Sequence, residues 1–285
     1  MRSNPAERSP ASAAAVPAPI APPEDVALGL EATADRRGAF GADLQWFTTI
    51  ASTNDRAMGW AELGAPEGAV VAAEAQTRGR GRHGRTWVSP PGAGIYASVV
   101  LRPEPQAAAF VTLAAGVALV EGIQAASGFS AGVKWPNDVY VATGSGPRKL
   151  AGILAEAGVS NGTVQHVVLG FGINLMGSAW PPEVAGRATS IETEVGRAVD
   201  RGLVLAECLV ALRRRYDDLR RGRAGAVLDA WRARAAATFG RSVEWDGPGG
   251  PGRGVAIDID ETGALLVRTA AGATRVVAGE VRWTS

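Results

Sequence analysis

Apolar and polar residues follow two different periods along this chain, and the change between them divides it into two parts. Between residues 40 and 238, short apolar runs typical of buried strands alternate with segments whose apolar residues recur every three or four positions, as in amphipathic helices. From about residue 240, short stretches of strictly alternating apolar and polar residues are separated by glycine turns. This pattern predicts an α/β domain over residues 39–238. It also predicts a small β-barrel over residues 239–285, which is too small to be stable without packing on the first domain.

The apolar runs and periods also place individual elements. Strands are predicted at residues 44–47, 69–75, 94–101, 133–141 (two short strands around a turn), 149–156 and 164–170. Helices are predicted after the polar set 52–54 and at residues 106–126, 203–221 and 224–238. Strands interleaved with helices predict a mixed α/β sheet covered by helices.

Residues 1–38 are rich in alanine, proline and serine and show no apolar period. Such a segment is expected to be a disordered tail, because it has too few apolar side chains to offset the entropy of ordering. It also shows none of the amphipathic helices that a helix-turn-helix DNA-binding domain would require.

Charge and composition narrow the function classes. The net charge of the chain is +1, so a broad basic face for nucleic acid is not indicated. The chain has a single cysteine, Cys208, which excludes an intrachain disulfide. One cysteine and two histidines are also too few for a zinc site of the usual kind. No apolar run is long enough to span a membrane and no secretory signal is visible, so a cytoplasmic location is expected.

The segment with the clearest chemistry is residues 78–85, in which arginine and glycine nearly alternate. It has no apolar side chains to bury, and four guanidinium groups in eight residues repel one another. Arginine matches phosphate or carboxylate oxygens bidentately, and glycine lets backbone N–H groups approach a ligand closely. The segment therefore predicts a mobile loop that becomes ordered on an anionic ligand. A nucleic-acid-binding module is the alternative for this loop alone.

Four other positions have both a structural and a functional interpretation. Residues 52–54 could cap a helix or bind a ligand at its first turn. Asn137 and Asp138 could form a sharp turn after Pro136, or hold a sugar hydroxyl or a metal ion. Lys149 opens a buried strand, either as a solvated lysine or as an anion ligand. Asn174 follows a glycine pair, which by itself is weak evidence for a site.

The order of these segments along the chain indicates a protein family much more specifically than any one segment does. The chain resembles bacterial biotin protein ligases over roughly residues 40–285. The resemblance rests on Ser52-Thr53-Asn54, the GRGRxGRxW core after Gln76, the KWPND stretch at residues 134–138, the KLAGIL stretch at 149–154 and the GFGIN stretch at 170–174. It implies a mixed-sheet catalytic domain like that of class II aminoacyl-tRNA synthetases, followed by an SH3-like β-barrel.

The resemblance also implies an activity and its substrates. Biotin would be activated by ATP with Mg²⁺ as biotinyl-5′-AMP, and then transferred to a lysine of a biotin carboxyl carrier domain of an acyl-CoA carboxylase. Because the tail shows no DNA-binding domain, a monofunctional enzyme is expected. It would have no DNA or membrane partner and would be a monomer or weak homodimer.

The site residues implied by the resemblance fall into four groups. Biotin would be bound by Ser52, Thr53, Asn54, Gln76, Gly79, Arg80, Gly81, Arg82 and Lys149. ATP would be bound by Arg80, Arg82, Arg85, Trp87, Asn137, Asp138, Lys149 and Asn174. The catalytic residues would be Lys149, Arg82 and Asp138, with Asp138 also the candidate magnesium ligand. Trp180 is a weak candidate to stack on adenine. A lipoate or octanoate ligase of the same fold is the closest alternative.

Overall fold

The computed structural model describes residues 17–143, 146–177, 180–236, 238–247 and 250–284. Its larger sheet has seven strands: β1 (Leu44–Ile50), β2 (Val70–Gln76), β3 (Gly94–Leu101), β4 (Gly132–Lys134), β5 (Asp138–Thr143), β6 (Gly146–Ser160) and β7 (Thr163–Asn174). Their order is β1-β2-β3-β7-β6-β5-β4. The β1–β2 pair is parallel and the other pairs are antiparallel, so the sheet is mixed, as predicted.

The α-helices of the described residues lie between residues 24 and 234. They are α1 (Glu24–Ala32), α2 (Ala34–Arg37), α3 (Thr53–Glu62), α4 (Pro105–Ala108), α5 (Val111–Ser127), α6 (Pro182–Ala185), α7 (Ile191–Val195), α8 (Arg201–Arg220) and α9 (Ala224–Arg234). None of the helices described here combines the length and apolar character needed to cross a bilayer.

The main core lies between one face of the sheet and the antiparallel pair α5 and α8. Helix α5 is buried on most of its surface because the sheet covers one side and α8 covers the other. Ile123 and Leu205 are among the fully buried side chains, and each contributes about 1.5–3 kcal/mol by leaving water. Gly122 allows the close approach of the two helices, since a Cβ there would lie 2.5 Å from the backbone of Cys208.

The opposite face of the sheet carries the short helix α3 and a smaller apolar cluster. The helix begins where the sequence predicts, because the Ser52 hydroxyl accepts a hydrogen bond from the Asp55 N–H and caps the first turn. Thr53 and Asn54 in that turn are therefore held against the strands, and both are buried. This face is the one on which the candidate site forms.

The C-terminal segment forms a five-stranded antiparallel sheet. Its strands are β8 (Ser242–Asp246), β9 (Gly252–Ile259), β10 (Leu265–Thr269), β11 (Gly272–Val276) and β12 (Glu280–Trp283), in the order β11-β10-β9-β8-β12. All five lie within the predicted segment 239–285. The Trp135 indole N–H donates to the Gly263 carbonyl at 2.9 Å, so the turn between β4 and β5 is joined directly to this sheet.

The predicted disorder of residues 1–38 is wrong for its described part. Helices α1 and α2 lie within it, and residues 1–16 fall outside the described residues. Helix α1 buries Val26 and Leu30, and Gly29 packs so closely on α8 that a Cβ would lie 2.5 Å from Gly202. Ile20 donates its N–H to the Trp46 carbonyl at 2.8 Å. The prediction from the alanine- and proline-rich composition therefore missed a short amphipathic helix.

Several element boundaries also differ from the prediction. The helix expected at residues 106–126 is two helices, α4 and α5, with a break at Ala109–Phe110. Gly128 caps the C-terminus of α5 in a left-handed conformation (φ 77°). Strands β6 and β7 extend beyond residues 156 and 170 because they pair with each other to the ends of a long hairpin. Helix α9 ends at Arg234 rather than at residue 238.

Candidate active site

A cleft of about 830 Å³ lies on the α3 face of the sheet. It is bounded by the first turn of α3, the arginine loop between β2 and β3, the β4–β5 turn, strands β6 and β7, and strand β12 of the C-terminal sheet. The predicted site residues that line it are Ser52, Thr53, Asn54, Gln76, Arg80, Gly81, Arg82, Arg85, Trp87, Asn137, Asp138, Lys149, Asn174 and Trp180. The fold therefore collects segments that are far apart in the chain.

One end of the cleft is neutral and polar. The Gln76 side-chain carbonyl accepts from the Thr53 N–H at 2.8 Å and from the Thr53 hydroxyl at 3.1 Å, while its amide group donates to the Ser89 hydroxyl at 3.0 Å. These bonds fix which end of the Gln76 amide accepts and which donates. A ligand at this end meets a set of fixed neutral donors and acceptors.

Asn54 lies beside this set and is almost fully engaged within the protein. Its Nδ2 donates to Glu156 at 2.7 Å and to the Leu154 carbonyl at 3.3 Å, and its Oδ1 accepts from the Ser98 hydroxyl at 2.6 Å. Both N–H groups are thus committed, and only one lone pair of Oδ1 is left for a ligand. Asn54 joins α3 to β6, and Gly170 lies against it, since a Cβ there would be 1.9 Å from Oδ1.

The floor of the cleft is formed by two glycines on neighbouring strands. Gly152 of β6 and Gly172 of β7 are paired across the sheet, and the Trp87 indole packs on both. A Cβ at Gly172 would lie 2.3 Å from Trp87 Nε1, so the aromatic ring requires glycine there. Trp87 Nε1 is buried and has no hydrogen-bond partner among the described residues, which leaves a donor in the cleft.

The other end of the cleft is charged. Lys149 Nζ lies 2.5 Å from Asp138 Oδ1 and 5.2 Å from the centre of the Trp87 ring. The Asp138 oxygen is within ion-pair distance of this lysine but receives no aligned hydrogen bond. The backbone of Lys149 is fixed by the segment before α7, through bonds to the Arg187 carbonyl (2.8 Å) and the Thr189 N–H (2.9 Å). The ammonium group therefore projects from a rigid backbone.

Asn174 reinforces this arrangement. Its Nδ2 donates to the Thr189 carbonyl at 2.9 Å and to the Lys149 carbonyl at 3.3 Å. The side chain is buried, and both of its amide hydrogens are used within the protein. In this structure Asn174 joins the backbone of Lys149 to that of Thr189 on the neighbouring segment, and only its Oδ1 is available toward a nucleotide.

The arginine loop forms a small hairpin whose arginines have different partners. Arg80 lies 2.7 Å from both Asp55 and Glu156, and Arg85 pairs with Glu280 of β12. Arg82 forms no ion pair with the described residues and donates to the Asn137 side-chain oxygen at 3.2 Å. Burial lowers the pKa of the Arg82 guanidinium. Arg82 is thus half buried, and no carboxylate of the described chain neutralises it by contact.

The loop backbone shows why glycine occurs in it. Gly79 accepts from the Trp87 N–H at 2.9 Å, and a Cβ on Gly79 would lie 2.4 Å from the Trp87 carbonyl oxygen. Gly81 donates its N–H to the Arg85 carbonyl at 2.7 Å, which closes the hairpin. The hairpin turns at His83 and Gly84, which both have positive φ. The guanidinium repulsion expected from the sequence is relieved by carboxylates from other elements.

Some cleft residues were not singled out from the sequence. Lys134, in the KWPND stretch, lies over the rings of Tyr140 (5.1 Å) and Trp283 (4.8 Å), and burial lowers its pKa. The position of Lys134 in a specific motif was an available signal. Glu280 and Trp283 come from the C-terminal sheet, and no local pattern connects them with the arginine loop.

The acidic side chains of the cleft set limits on a metal site. Within the described ranges, no three His, Cys, Asp or Glu side chains come together as a protein-built metal cage would require. Asp138 offers one carboxylate oxygen that lacks an aligned hydrogen bond. Mg²⁺ in nucleotide sites is commonly held by one or two carboxylates, substrate phosphates and water. The donor set fits Mg²⁺ carried by a nucleotide.

Comparison with known proteins agrees with this geometry. Residues 46–174 match the biotin/lipoate A/B protein ligase family, and residues 238–281 match the biotin protein ligase C-terminal domain. The biotin–[acetyl-CoA-carboxylase] ligase of Mycobacterium tuberculosis is 37% identical over 81% of this chain and 85% of its own length. The bifunctional ligase/repressor BirA of Bacillus subtilis is 33% identical over 85% of this chain and 74% of its own length.

A solved structure extends the comparison to three dimensions. The biotin protein ligase from Aquifex aeolicus, in complex with biotin and ATP, matches with a TM-score of 0.73 and 27% identity, over 85% of this chain and 99% of that chain. Both ligases and ligase/repressors are among the similar proteins, so the monofunctional character stays a prediction. The two matched domains and the relatives above 30% identity show that this chain belongs to the biotin protein ligase family.

Proposed function

We propose that this protein activates biotin with ATP as biotinyl-5′-AMP and transfers the biotinyl group to a lysine of a biotin carboxyl carrier domain. The relatives support this proposal, because two of them are named for ligation to acetyl-CoA carboxylase and a structural neighbour holds biotin and ATP together. The acceptor would accordingly be the carrier domain of an acyl-CoA carboxylase.

A single observation carries the proposal: one cleft has a neutral polar end and a cationic end. The ureido ring of biotin is neutral and has fixed donors and acceptors, which suits the end built from Thr53 and Gln76. The biotin carboxylate and the ATP phosphates are anions, which suit Lys149 and Arg82. Lys149 lies over Trp87, beside the glycine floor that joins the two ends.

In the first step a biotin carboxylate oxygen attacks the α-phosphorus of ATP. A new P–O bond forms, the bond to the β-phosphate bridge breaks, and pyrophosphate leaves. Two anions must approach each other, so the protein contributes mainly positioning and neutralisation of charge. Lys149 would contact the carboxylate and the α-phosphate, and Arg82 the phosphates. Mg²⁺ bound to the nucleotide would neutralise further phosphate charge, with Asp138 and Asn137 available to it.

In the second step the acceptor amine attacks the carbonyl of the mixed anhydride. An amide C–N bond forms, the C–O bond breaks and AMP leaves. The attacking nitrogen loses a proton, which would pass to the carboxylate of Asp138, the side chain that we propose to orient the amine. The adenylate is hydrolytically labile, so the arginine hairpin and Trp87 over the floor would limit access of water to it.

The proposal also includes the cellular location, the oligomeric state and the lack of DNA binding. A cytoplasmic enzyme that acts as a monomer or weak homodimer, without DNA binding, is the form expected for a ligase of this kind. The near-neutral net charge supports the absence of a nucleic-acid footprint.

The decisive experiment uses the full chain with ATP and Mg²⁺. Pyrophosphate release is measured with biotin, with lipoate and with neither, and transfer is followed as label on a purified carrier domain. We expect release and labelling with biotin alone. Release with lipoate instead would identify a lipoate ligase. Salt-sensitive binding of DNA or RNA without pyrophosphate release would support the nucleic-acid alternative.

A further inference from the structure

Glu156 is an acidic residue on a largely apolar strand, and one of its oxygens joins two parts of the site. Its Oε2 accepts from Asn54 Nδ2 at 2.7 Å and from an Arg80 guanidinium nitrogen at 2.7 Å. Asn54 belongs to the first turn of α3, whereas Arg80 belongs to the arginine hairpin. Glu156 does not itself line the cleft. Its two hydrogen-bond partners, Asn54 and Arg80, do line the cleft, so Glu156 can affect the cleft through them.

The position of Glu156 follows from strand alternation. Residues 152, 154 and 156 point to the same face of β6, so Glu156 shares the face of Gly152 on the cleft floor. The Glu156 side chain is 29% exposed. It accepts charge-assisted hydrogen bonds at the far side of Asn54 from the cleft.

Asn54 is held from two sides in a defined orientation. Ser98, which is fully buried, donates to Oδ1, while Glu156 and the Leu154 carbonyl accept from Nδ2. The Ser98 hydroxyl also lies 2.8 Å from the Thr53 hydroxyl, and Thr53 in turn holds Gln76. The orientation of Asn54 is therefore linked through Ser98 to the donors and acceptors at the neutral end of the cleft.

Asp55 provides an internal comparison. It lies 2.7 Å from the same Arg80 guanidinium as Glu156 does, and its side chain is 51% exposed. Among the described residues, the Asp55 side chain forms no hydrogen bond with the Asn54 side chain, whose partners are Glu156, Leu154 and Ser98. Loss of the Asp55 charge would weaken only the tether of the hairpin, whereas loss of Glu156 would weaken both that tether and the orientation of Asn54.

We infer that Glu156 is a positioning residue for the ligand bound at the neutral end of the cleft. It fixes the Asn54 amide, and through Arg80 it holds the hairpin in register with the first turn of α3. This inference rests on the proposed function, because biotin is the ligand assigned to that end. Its signature is a selective loss of affinity for biotin, with little effect on ATP.

The experiment compares Glu156→Ala, Glu156→Gln and Asp55→Asn with the wild type. Biotin affinity is measured by titration calorimetry, KM for ATP by pyrophosphate release, and thermal stability by unfolding. We expect Glu156→Ala to weaken biotin binding about tenfold and to change KM for ATP less than about twofold, since the charge-assisted bond to Asn54 is lost. Glu156→Gln is expected to be intermediate, because its amide oxygen still accepts. Asp55→Asn should stay within about twofold of the wild type.

Gly170→Ala gives a second test that leaves every charge in place. Its methyl group would lie 1.9 Å from Asn54 Oδ1, so Asn54 must move. We expect the same selective loss of biotin affinity as in Glu156→Ala. Equal losses in Asp55→Asn and Glu156→Ala would assign the effect to Arg80 alone and overturn the inference, as would unchanged affinity in Glu156→Ala. A wild-type protein that binds no biotin would overturn the proposed function itself.

Discussion

Replacement of Lys149 by alanine is the sharpest test of the charged end of the cleft. Lys149 Nζ and Asp138 Oδ1 form an ion pair at 2.5 Å, with the two side chains only 30% and 18% exposed. Removal of the cation leaves Asp138 facing the place where, in the proposed reaction, a carboxylate and an α-phosphate would meet. Each unit charge pair at 4 Å interacts by about 4 kcal/mol at the effective dielectric of a protein surface.

The net effect on the reaction is smaller than this raw attraction, because ground states are also stabilised by the lysine. Loss of one preorganised donor to a developing anion typically costs about 2.7–4 kcal/mol, or a factor of about 10²–10³ in rate. We therefore expect Lys149→Ala to slow biotin-dependent pyrophosphate release by about that factor. The rate is measured in a single turnover with saturating biotin and ATP, and thermal unfolding checks that the fold is retained.

Substitution of Asp138, the ion-pair partner of Lys149, tests whether the defect comes from the loss of charge or from the loss of side-chain shape. If the unopposed Asp138 carboxylate contributes to the defect, the double variant Lys149→Ala with Asp138→Asn should release pyrophosphate about tenfold faster than Lys149→Ala alone. A wild-type rate in Lys149→Ala would refute the assignment of this lysine. A double variant no faster than Lys149→Ala would refute the electrostatic reasoning.

Three further predictions follow from contacts elsewhere in the molecule. Arg82→Lys keeps the charge but not the planar fork, so kcat/KM for ATP should fall at least about tenfold in initial-rate measurements, and a wild-type value would contradict the role of Arg82. Gly172→Ala places a methyl group 2.3 Å from Trp87 Nε1, so biotin affinity by calorimetry should fall at least about tenfold. Gly116→Ala, whose methyl group meets nothing closer than 3.6 Å, is the matched control and should bind biotin normally. Asp260→Asn should lower the unfolding free energy at pH 7 by about 1–3 kcal/mol, because the carboxylate accepts from Thr262, Ala264 and Arg275. Burial opposes ionisation of Asp260, but these bonds outweigh it and lower its pKa from 3.8 to about 2. The stabilisation is therefore present above pH 3.8 and lost as the pH falls toward 2, so urea unfolding should show the deficit of Asp260→Asn shrink at acid pH. A deficit that does not depend on pH would contradict this.

The local patterns of the sequence predicted most elements because each has a signal within a few residues. The apolar run at 94–101 is strand β3, and the polar set at 52–54 is the start of α3, capped by Ser52. Helix α1 was missed because a nine-residue helix is marginal in isolation and depends on its packing against α8. Strands β6 and β7 exceeded their predicted ends for a related reason, since each extends along its partner.

The sequence by itself determined many of the chemical groups that line the cleft, but not Lys134, Glu280 or Trp283. The order of the motifs that contain Lys149, Arg82, Asp138 and Gln76 indicated the protein family, and the arginine and glycine segment indicated an anionic ligand. Both inferences were possible because residue types and short spacings are local properties. Such local properties gave the arginines of residues 78–85 ligand roles only through the family resemblance, and they could not assign a partner within the protein to any of them.

Only the tertiary structure decided that the loop arginines differ. Glu156 reaches Arg80 across 76 positions of the chain, and Glu280 reaches Arg85 across 195. These carboxylates neutralise two arginines, whereas the partner of Arg82 among the described residues is the Asn137 amide oxygen, at the cleft. Contacts of this kind arise when the sheet brings β6 and β12 beside the loop, and no pattern confined to the loop specifies them. The difference between two carboxylate-paired arginines and one arginine that has no carboxylate partner among the described residues is therefore a property of the fold.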